Sequence, residues 1–449
     1  MNPKKLVLIV IDGLTPSVFE AAVEDGRAPA LGFLAEHGRY RRGFSVFPSL
    51  TPVCLSSLAT GAHPDVHEIP HLVWYHREER RLVEYGSSFG ALRAAGFSRS
   101  LRDTIIDMNR AHLGRRAVTV FEALEDAGLT TACINFTCYR GRNRHVATLP
   151  GVPAVSGPRR FFFYNLFESD PTGAPLSVRN RAAGSIDAYA GQVGRWLVTR
   201  DGFDFLVFYL SDYDYASHLF GPAGTAEALG RCDAQVAALL DAAGGPEAFL
   251  ERYAVVVCSD HGQTVVERTA RLEEAFRSVG GVLVTASNRA GMVYRLEGCH
   301  EDARSLATRL DPEPAAQVVL FREHGAGVAR RDGAELRFTR SDTGWSLSGD
   351  GSILDFPDGL ERAWGALGNP QAGELIVSAA EGYEFSDLAG YHHLGGGSHG
   401  SLAAGDSEVP MLTVGLPGPP ESIVGVAPLV LSHFGVEPPA YARTYSRAA

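Results

Sequence analysis

Cysteine is scarce in this chain: six in 449 residues, at Cys54, Cys133, Cys138, Cys232, Cys258 and Cys299. That is too few for a disulfide framework, and no pair has metal-finger spacing. The expectation is buried free thiols in a reducing compartment. An excess of basic residues is also missing. Lys and Arg number 41 against 52 Asp and Glu, a formal net charge of −11. That balance speaks against a nucleic-acid polymer as main partner, because binding a phosphate backbone needs a basic face. It leaves a small phosphorylated substrate open, since a bound metal reverses the local sign. No apolar stretch approaches the length of a membrane span, so no membrane partner is expected. Lys4 and Lys5 before an apolar run resemble a signal peptide. The run is only six residues, Leu6 to Ile11, and no small-residue cleavage site follows it. It reads as a first buried strand, and a cytoplasmic location is expected. Internal repeats and low-complexity tracts are absent. Pro417-Gly418-Pro419-Pro420 marks a loop.

What is present is ordinary globular composition, with 45% hydrophobic and 21% charged residues. The length suits one large α/β domain with a lobe, or two domains; one catalytic domain over 1–449 is the expectation. Apolar runs without alternation, such as Phe205 to Leu210 and Ala254 to Cys258, predict strands buried on both faces. Helical patterns at Val118–Ala127 and Thr225–Ala242 alternate with them, which implies a mostly parallel sheet with helices on both sides. The segment 265–373 reads differently. Gln317–Arg322, the turn Asp332-Gly333 and Glu335–Phe338 predict hairpins, hence an inserted α+β lobe, with return to the core at Glu374–Val377. A second insertion or cap is expected over 71–185.

In parallel sheets ligands bind beyond the carboxyl ends of the strands. Acids and imidazoles gather there. Asp12 follows the first apolar run. Asp214 and His218, spaced i, i+4, follow Leu210, so a helical turn would put both on one face. Asp260 and His261 follow Cys258, and His399 lies among glycines in Gly395 to Gly400. Three carboxylates and three imidazoles suffice to hold two divalent metal ions. A hydroxyl is available as nucleophile in the segment Phe47 to Gly61. Thr51 before Pro52 suits a helix N-cap, where backbone amides bind anions. Ser49, Ser56 and Ser57 are competing hydroxyls that spacing alone does not separate.

The segments Val10 to Gly13, Phe47 to Pro52, Ala59 to Pro64, Asp214 to His218 with Gly221-Pro222, Ser259 to Gly262 and Gly397 to Gly400 carry a resemblance. Their order is similar to that of the alkaline phosphatase superfamily, and most like its nucleotide pyrophosphatase/phosphodiesterase branch. The resemblance implies an α/β, alkaline-phosphatase-like three-layer sandwich with a mostly parallel central sheet and an inserted α+β lobe. It implies two divalent ions, zinc first among them. Asp214, His218 and His399 would hold one. Asp12, Asp260 and His261 would hold the other, with the oxygen of Thr51 also on it. Thr51 would attack phosphorus and form a covalent phosphothreonine that water then hydrolyses. The implied function is cleavage of phosphodiester or pyrophosphate bonds in a small phosphate-ester or diphosphate substrate.

The chain departs from that branch in His67 to Leu72. Many diesterases carry an Asn, donor to a phosphate oxygen, where Leu72 stands. Phosphomonoester, phosphonate or apolar-alcohol diphosphate hydrolysis is therefore the alternative function, and a non-catalytic binding protein of the same fold a third. Phe161 to Tyr164 with Phe167 read as a buried strand ahead of an apolar pocket. Arg140, Arg142 and Arg144 read equally as phosphate contacts or as a solvated loop. His63, His67, His71 and His76 read as loop and packing residues.

Overall fold

A computed structural model describes residues 3–87, 91, 93, 95–164, 166–167, 186–341, 344–390 and 393–443. The Leu6–Ile11 run forms β1 (Lys5–Ile11), followed by β2 (Arg39–Phe44), β3 (Thr131–Ile134), β4 (Arg160–Phe162), β5 (Phe205–Leu210) and β6 (Tyr253–Cys258). Next come β7 (Val282–Ser287), β8 (Ala290–Arg295), β9 (Ala316–Glu323), β10 (Ala326–Arg331), β11 (Ala334–Ser341), β12 (Gly344–Gly349) and β13 (Leu375–Ala379). The last is β14 (Glu408–Val414). They make two seven-stranded sheets.

The central sheet has the order β2-β14-β6-β1-β5-β3-β4. The run from β6 to β4 is parallel, and β14 alone runs the other way. Alternation along β1 sends Leu6, Leu8 and Val10 to one face, and Val7, Ile9 and Ile11 to the other. Both faces are covered, which is why the run is apolar throughout. On the first face lie α1 (Thr51–Thr60), α2 (Val120–Asp126) and the helix Val426–His433. On the second lie α3 (Ile186–Thr199) and, after α4 (Asp212–Phe220), the long α5 (Ala226–Ala242). The result is the expected three-layer α/β sandwich. Thr119 starts α2 with a reciprocal cap: Glu122 N donates to its hydroxyl at 3.1 Å, and Thr119 N donates to the Glu122 carboxylate at 3.0 Å.

The second sheet is antiparallel, in the order β7-β8-β13-β9-β10-β11-β12. Asp332 and Gly333 join β10 to β11 with φ of 49° and 79°, the left-handed pair a two-residue hairpin turn needs. One expectation fails here. Glu374–Val377 does not return to the central sheet; β13 lies in the middle of the second one, between β8 and β9. Its five residues are all buried, and such a run fits the centre of either sheet, so composition could not assign it. The stretch 71–185 likewise supplies β3 and β4 to the central sheet. Within β4, Phe161 and Phe162 are fully buried, the packing role preferred for them. Among the described residues, no helix is long and apolar enough to cross a membrane.

Candidate active site

Strand register builds the site. Val10 pairs with Cys258 and Ile11 with Leu210, so β1, β5 and β6 end side by side. Asp12 follows directly. Gly13 then turns with φ of 70°, and a Cβ there would lie 2.6 Å from Asp214 Oδ1. Asp214 and His218 are one turn apart on α4, with His218 Nε2 3.2 Å from Asp214 Oδ2. Just beyond β6 the chain bends at Asp260, whose Oδ1 accepts from His261 N at 3.0 Å and Gly13 N at 3.2 Å. His399 follows the short pairing of Gly397–Ser398 with Thr264–Val265.

Thr51 differs slightly from expectation. Leu50 is the N-cap, and Thr51 is the first residue of α1, ahead of Pro52. Its hydroxyl does not cap the helix. It lies 3.1 Å from His261 Nε2. Ser49 and Ser56 have their hydroxyls spent on backbone carbonyls, and Ser57 pairs with His67, which separates Thr51 from its competitors.

The three imidazoles are wired alike. Nδ1 of His218 faces Gly397 O at 2.8 Å, Nδ1 of His261 faces Gly262 O at 3.1 Å, and Nδ1 of His399 faces Ser49 O at 2.8 Å. A carbonyl only accepts, so each Nδ1 carries a proton, which leaves each Nε2 as the nitrogen that can offer a lone pair to a cation. His261 Nε2 sits 3.3 Å from Asp12 Oδ1 and 3.4 Å from Asp260 Oδ2. Those two carboxylate oxygens are buried and receive no hydrogen bond. The rings of His261 and His399 stack with centroids 3.6 Å apart, joining the two halves of the cluster. Asp214, His218 and His399 form one triad and Asp12, Asp260 and His261 another, each with donor atoms within 4.8 Å of one another. The buried, unpartnered oxygens of Asp12 and Asp260 beside His261 Nε2 fit a divalent cation, and Asp214, His218 and His399 offer a second set of such donors, with the carbonyls orienting the rings.

The electrostatics agree. Burial pushes the Asp12 carboxyl well up, and the neighbouring Asp260 and Asp214 add to it. Burial also raises Asp260. Burial acts the same way on Asp214, but His218, with His399 and His261 adding to it, outweighs burial and holds that carboxyl well below the usual range. Burial, then the neighbouring His261, lowers His399 far below an ordinary imidazole. Burial would lower His218, but Asp214 beside it raises it, so the shortage of positive charge lies at Asp12 and Asp260.

Several contacts gave no sequence signal. Tyr209, in the apolar run of β5, donates its hydroxyl to Asp12 Oδ2. The Gln263 amide donates to Asp214 Oδ1; its place two residues after His261 was the one available hint. The His393 ring stacks on His218 at 4.0 Å and bonds through Nδ1 to the buried Glu384. Asn288 Nδ2 lies 3.0 Å from His399 Nε2. Other candidates fall away from the cluster. Arg140 is engaged by Glu122 and the carbonyls of Leu113 and Gly114, and Arg142 by Glu122 and Asp126. His67 and His71 accept from the backbone amides of Ile69 and Val73, as packing residues do. A surface cavity of about 440 Å³ lined by Arg81, Arg99, Arg102 and Arg110 shares no residue with the cluster. Arg81, Arg102 and Arg110 pair there with Asp103 or Asp107.

Residues 6–402 match the pattern of the type I phosphodiesterase/nucleotide pyrophosphatase family. The chain belongs to that family. Its fold is similar to that of phosphonoacetate hydrolase from Sinorhizobium meliloti, solved with phosphonoformate, at 18% identity and a TM-score of 0.63. The likeness covers 97% of this chain and 96% of that one. It is also similar to murine ectonucleotide pyrophosphatase/phosphodiesterase 5, at 14% identity and a TM-score of 0.62, with the same coverage. No curated protein matches the sequence. In this family member Leu72 is 8% exposed and packed in the larger core, so no side-chain donor stands at that position.

Proposed function

We propose that this protein hydrolyses phosphodiester or pyrophosphate bonds of small substrates, with Thr51 as nucleophile and two divalent cations, zinc by preference, in the two triads. The observation that carries the proposal is the Thr51 hydroxyl 3.1 Å from His261 Nε2, at the head of α1 and beside the ring that stacks on His399. Asp214, His218 and His399 would hold one ion; Asp12, Asp260 and His261, with the Thr51 oxygen, the other. When bound, the ions would neutralise phosphoryl charge and favour the ionised threonine hydroxyl. Thr51 Oγ1 then forms a bond to phosphorus as the bond to the leaving oxygen breaks. Water hydrolyses the phosphothreonine and returns the hydroxyl. The N/O donor set suits zinc, although similar sets take other metals. The six free thiols support a reducing, cytoplasmic setting as part of this reading.

The test is metal analysis together with turnover of bis(p-nitrophenyl) phosphate and p-nitrophenyl phosphate by wild type and Thr51→Ala. A protein that takes up no metal, or a variant with unchanged turnover, sinks the proposal.

One observation favours a second reading. Tyr215, Leu219 and Phe220 on α4, with Val265 and Leu394, are each between 44% and 71% exposed. Large apolar side chains on the very helix that carries Asp214 and His218 would suit an apolar leaving group. A monoester, a phosphonate or a diphosphate of an apolar alcohol would then be the substrate. Relative rates on mono- and diesters with apolar and polar leaving groups separate the two readings. Full metal occupancy with no turnover across such a panel would favour a binding protein instead.

A further inference from the structure

We propose that Asn288, at the tip of the β7–β8 hairpin, is a substrate-binding residue whose side-chain amide donates to a non-bridging phosphoryl oxygen. The inference rests on the two-cation reading above and names a contact that reading leaves unassigned.

The tip is fixed in place. Ser287 pairs with Ala290, which leaves Asn288-Arg289 as a two-residue turn. Asn288 has φ of 55°, a conformation asparagine tolerates better than most residues. Arg289 N donates to His399 O at 2.9 Å, Phe385 N to Asn288 O at 2.8 Å, and Ala379 N to Arg289 O at 3.0 Å. The buried Arg289 guanidinium pairs with Asp406 at 2.9 Å. The second sheet thus delivers one rigid corner to the metal-ligand loop of the central sheet.

The side chain is aimed. Asn288 is 5% exposed, and Ser287 Oγ lies 3.1 Å from its Oδ1. That hydroxyl engages the oxygen end, so the NH2 end faces the cluster, 3.0 Å from His399 Nε2. His399 Nδ1 already donates to Ser49 O, so Nε2 is an acceptor and Asn288 the donor.

The same lone pair is claimed twice. Nε2 is the atom that the two-cation reading assigns to an ion, and one lone pair serves one partner. With His399 ligated, the Asn288 amide keeps its N–H groups and has no other acceptor among the described residues, in a side chain only 5% exposed. A buried donor without an acceptor is costly, whereas a phosphoryl oxygen is a strong, charged acceptor. Leu72 cannot make that contact.

The experiment titrates inorganic phosphate into zinc-loaded wild type, Asn288→Gly and Asn288→Asp by calorimetry, with metal per chain measured on the same samples. Glycine removes the amide without straining the left-handed turn; aspartate keeps the size and the backbone preference. Both variants are expected to retain two metals. Glycine should weaken phosphate binding about 10- to 100-fold, the scale of one hydrogen bond to a charged acceptor, and aspartate should weaken it further. Unchanged phosphate affinity in the glycine variant, or loss of one metal equivalent in it, overturns the assignment. A wild-type protein that takes up no metal overturns the two-cation reading and this inference with it. A metal-loaded wild type with a tolerant Asn288→Gly overturns this inference alone.

Discussion

A single methyl group at Gly396 should disable the proposed metal site from outside it. A Cβ there would lie 1.9 Å from the backbone oxygen of His218 and 2.8 Å from its carbonyl carbon. Real Cβ contacts do not fall below 3.0 Å, so Gly396→Ala must open a gap of at least 1.1 Å, the difference between 3.0 and 1.9. The obstacle is backbone in the last turn of α4, which no rotamer change relieves. The neighbouring bond from His218 Nδ1 to Gly397 O is 2.8 Å long, and a shift of 1.1 Å along it would give 3.9 Å. That bond fixes which His218 nitrogen faces Asp214. Losing such an orienting contact weakens metal affinity about 10- to 100-fold. Overpacking adds about 1–3 kcal/mol of lost stability. Competition with a chelator measures the first and urea unfolding the second. Gly418→Ala is the control, since a Cβ there meets open space. Wild-type zinc affinity in Gly396→Ala would refute the reasoning, because it would mean that α4 and the glycine loop need not touch.

Removal of the proposed nucleophile should leave the site standing: Thr51→Ala is expected to keep both metals while turnover falls by about three orders of magnitude or more. In chelator-treated protein, Asp12 has a raised pKa in the folded state, so folding takes up protons and stability falls as pH rises above the ordinary carboxylate range. Asp12→Asn removes that loss and should stabilise the metal-free protein at pH 7 by about 1–3 kcal/mol, while abolishing its share of metal binding; thermal melts from pH 4 to 8 check both. Asp406→Asn leaves the buried Arg289 guanidinium without its counter-charge and should cost about 3–5 kcal/mol in denaturant unfolding. Leu72→Asn puts an amide into the larger core and should lower stability by about 2–4 kcal/mol without raising diester turnover.

Three strands of the central sheet, β1, β5 and β6, were legible because they are buried on both faces and their ends carry the acids; the largely exposed edge strand β2, and β3 and β4 within the expected insertion, were not. Asp12, Asp214 and Asp260 could be placed from apolar run length alone. The pairing of Asp214 with His218 followed from helical spacing. The second sheet was legible only as hairpins: Asp332-Gly333 gave one turn, but nothing local told Leu375–Ala379 which sheet to join. The orienting shell was illegible for the same reason. Tyr209 sits in an apolar run and Asn288 in a turn 111 residues from His399. Such contacts depend on where distant elements dock, which no local pattern records. Spacing only shortlisted Thr51 and the resemblance picked it out; the engaged hydroxyls of Ser49, Ser56 and Ser57 support that choice.

The donors of each triad lie far apart along the chain. Asp12 and Asp260 are separated by 248 positions, and Asp214 and His399 by 185, as subtraction of their numbers gives. An ion held by either set therefore acts as a reversible crosslink across long loops, joining β1 to β6 or α4 to the segment before β14. Because Arg289 hangs the second sheet on His399, that crosslink also tethers one sheet to the other. Zinc concentration would then set thermal stability as well as turnover, and stripping the metal would loosen the whole molecule at once.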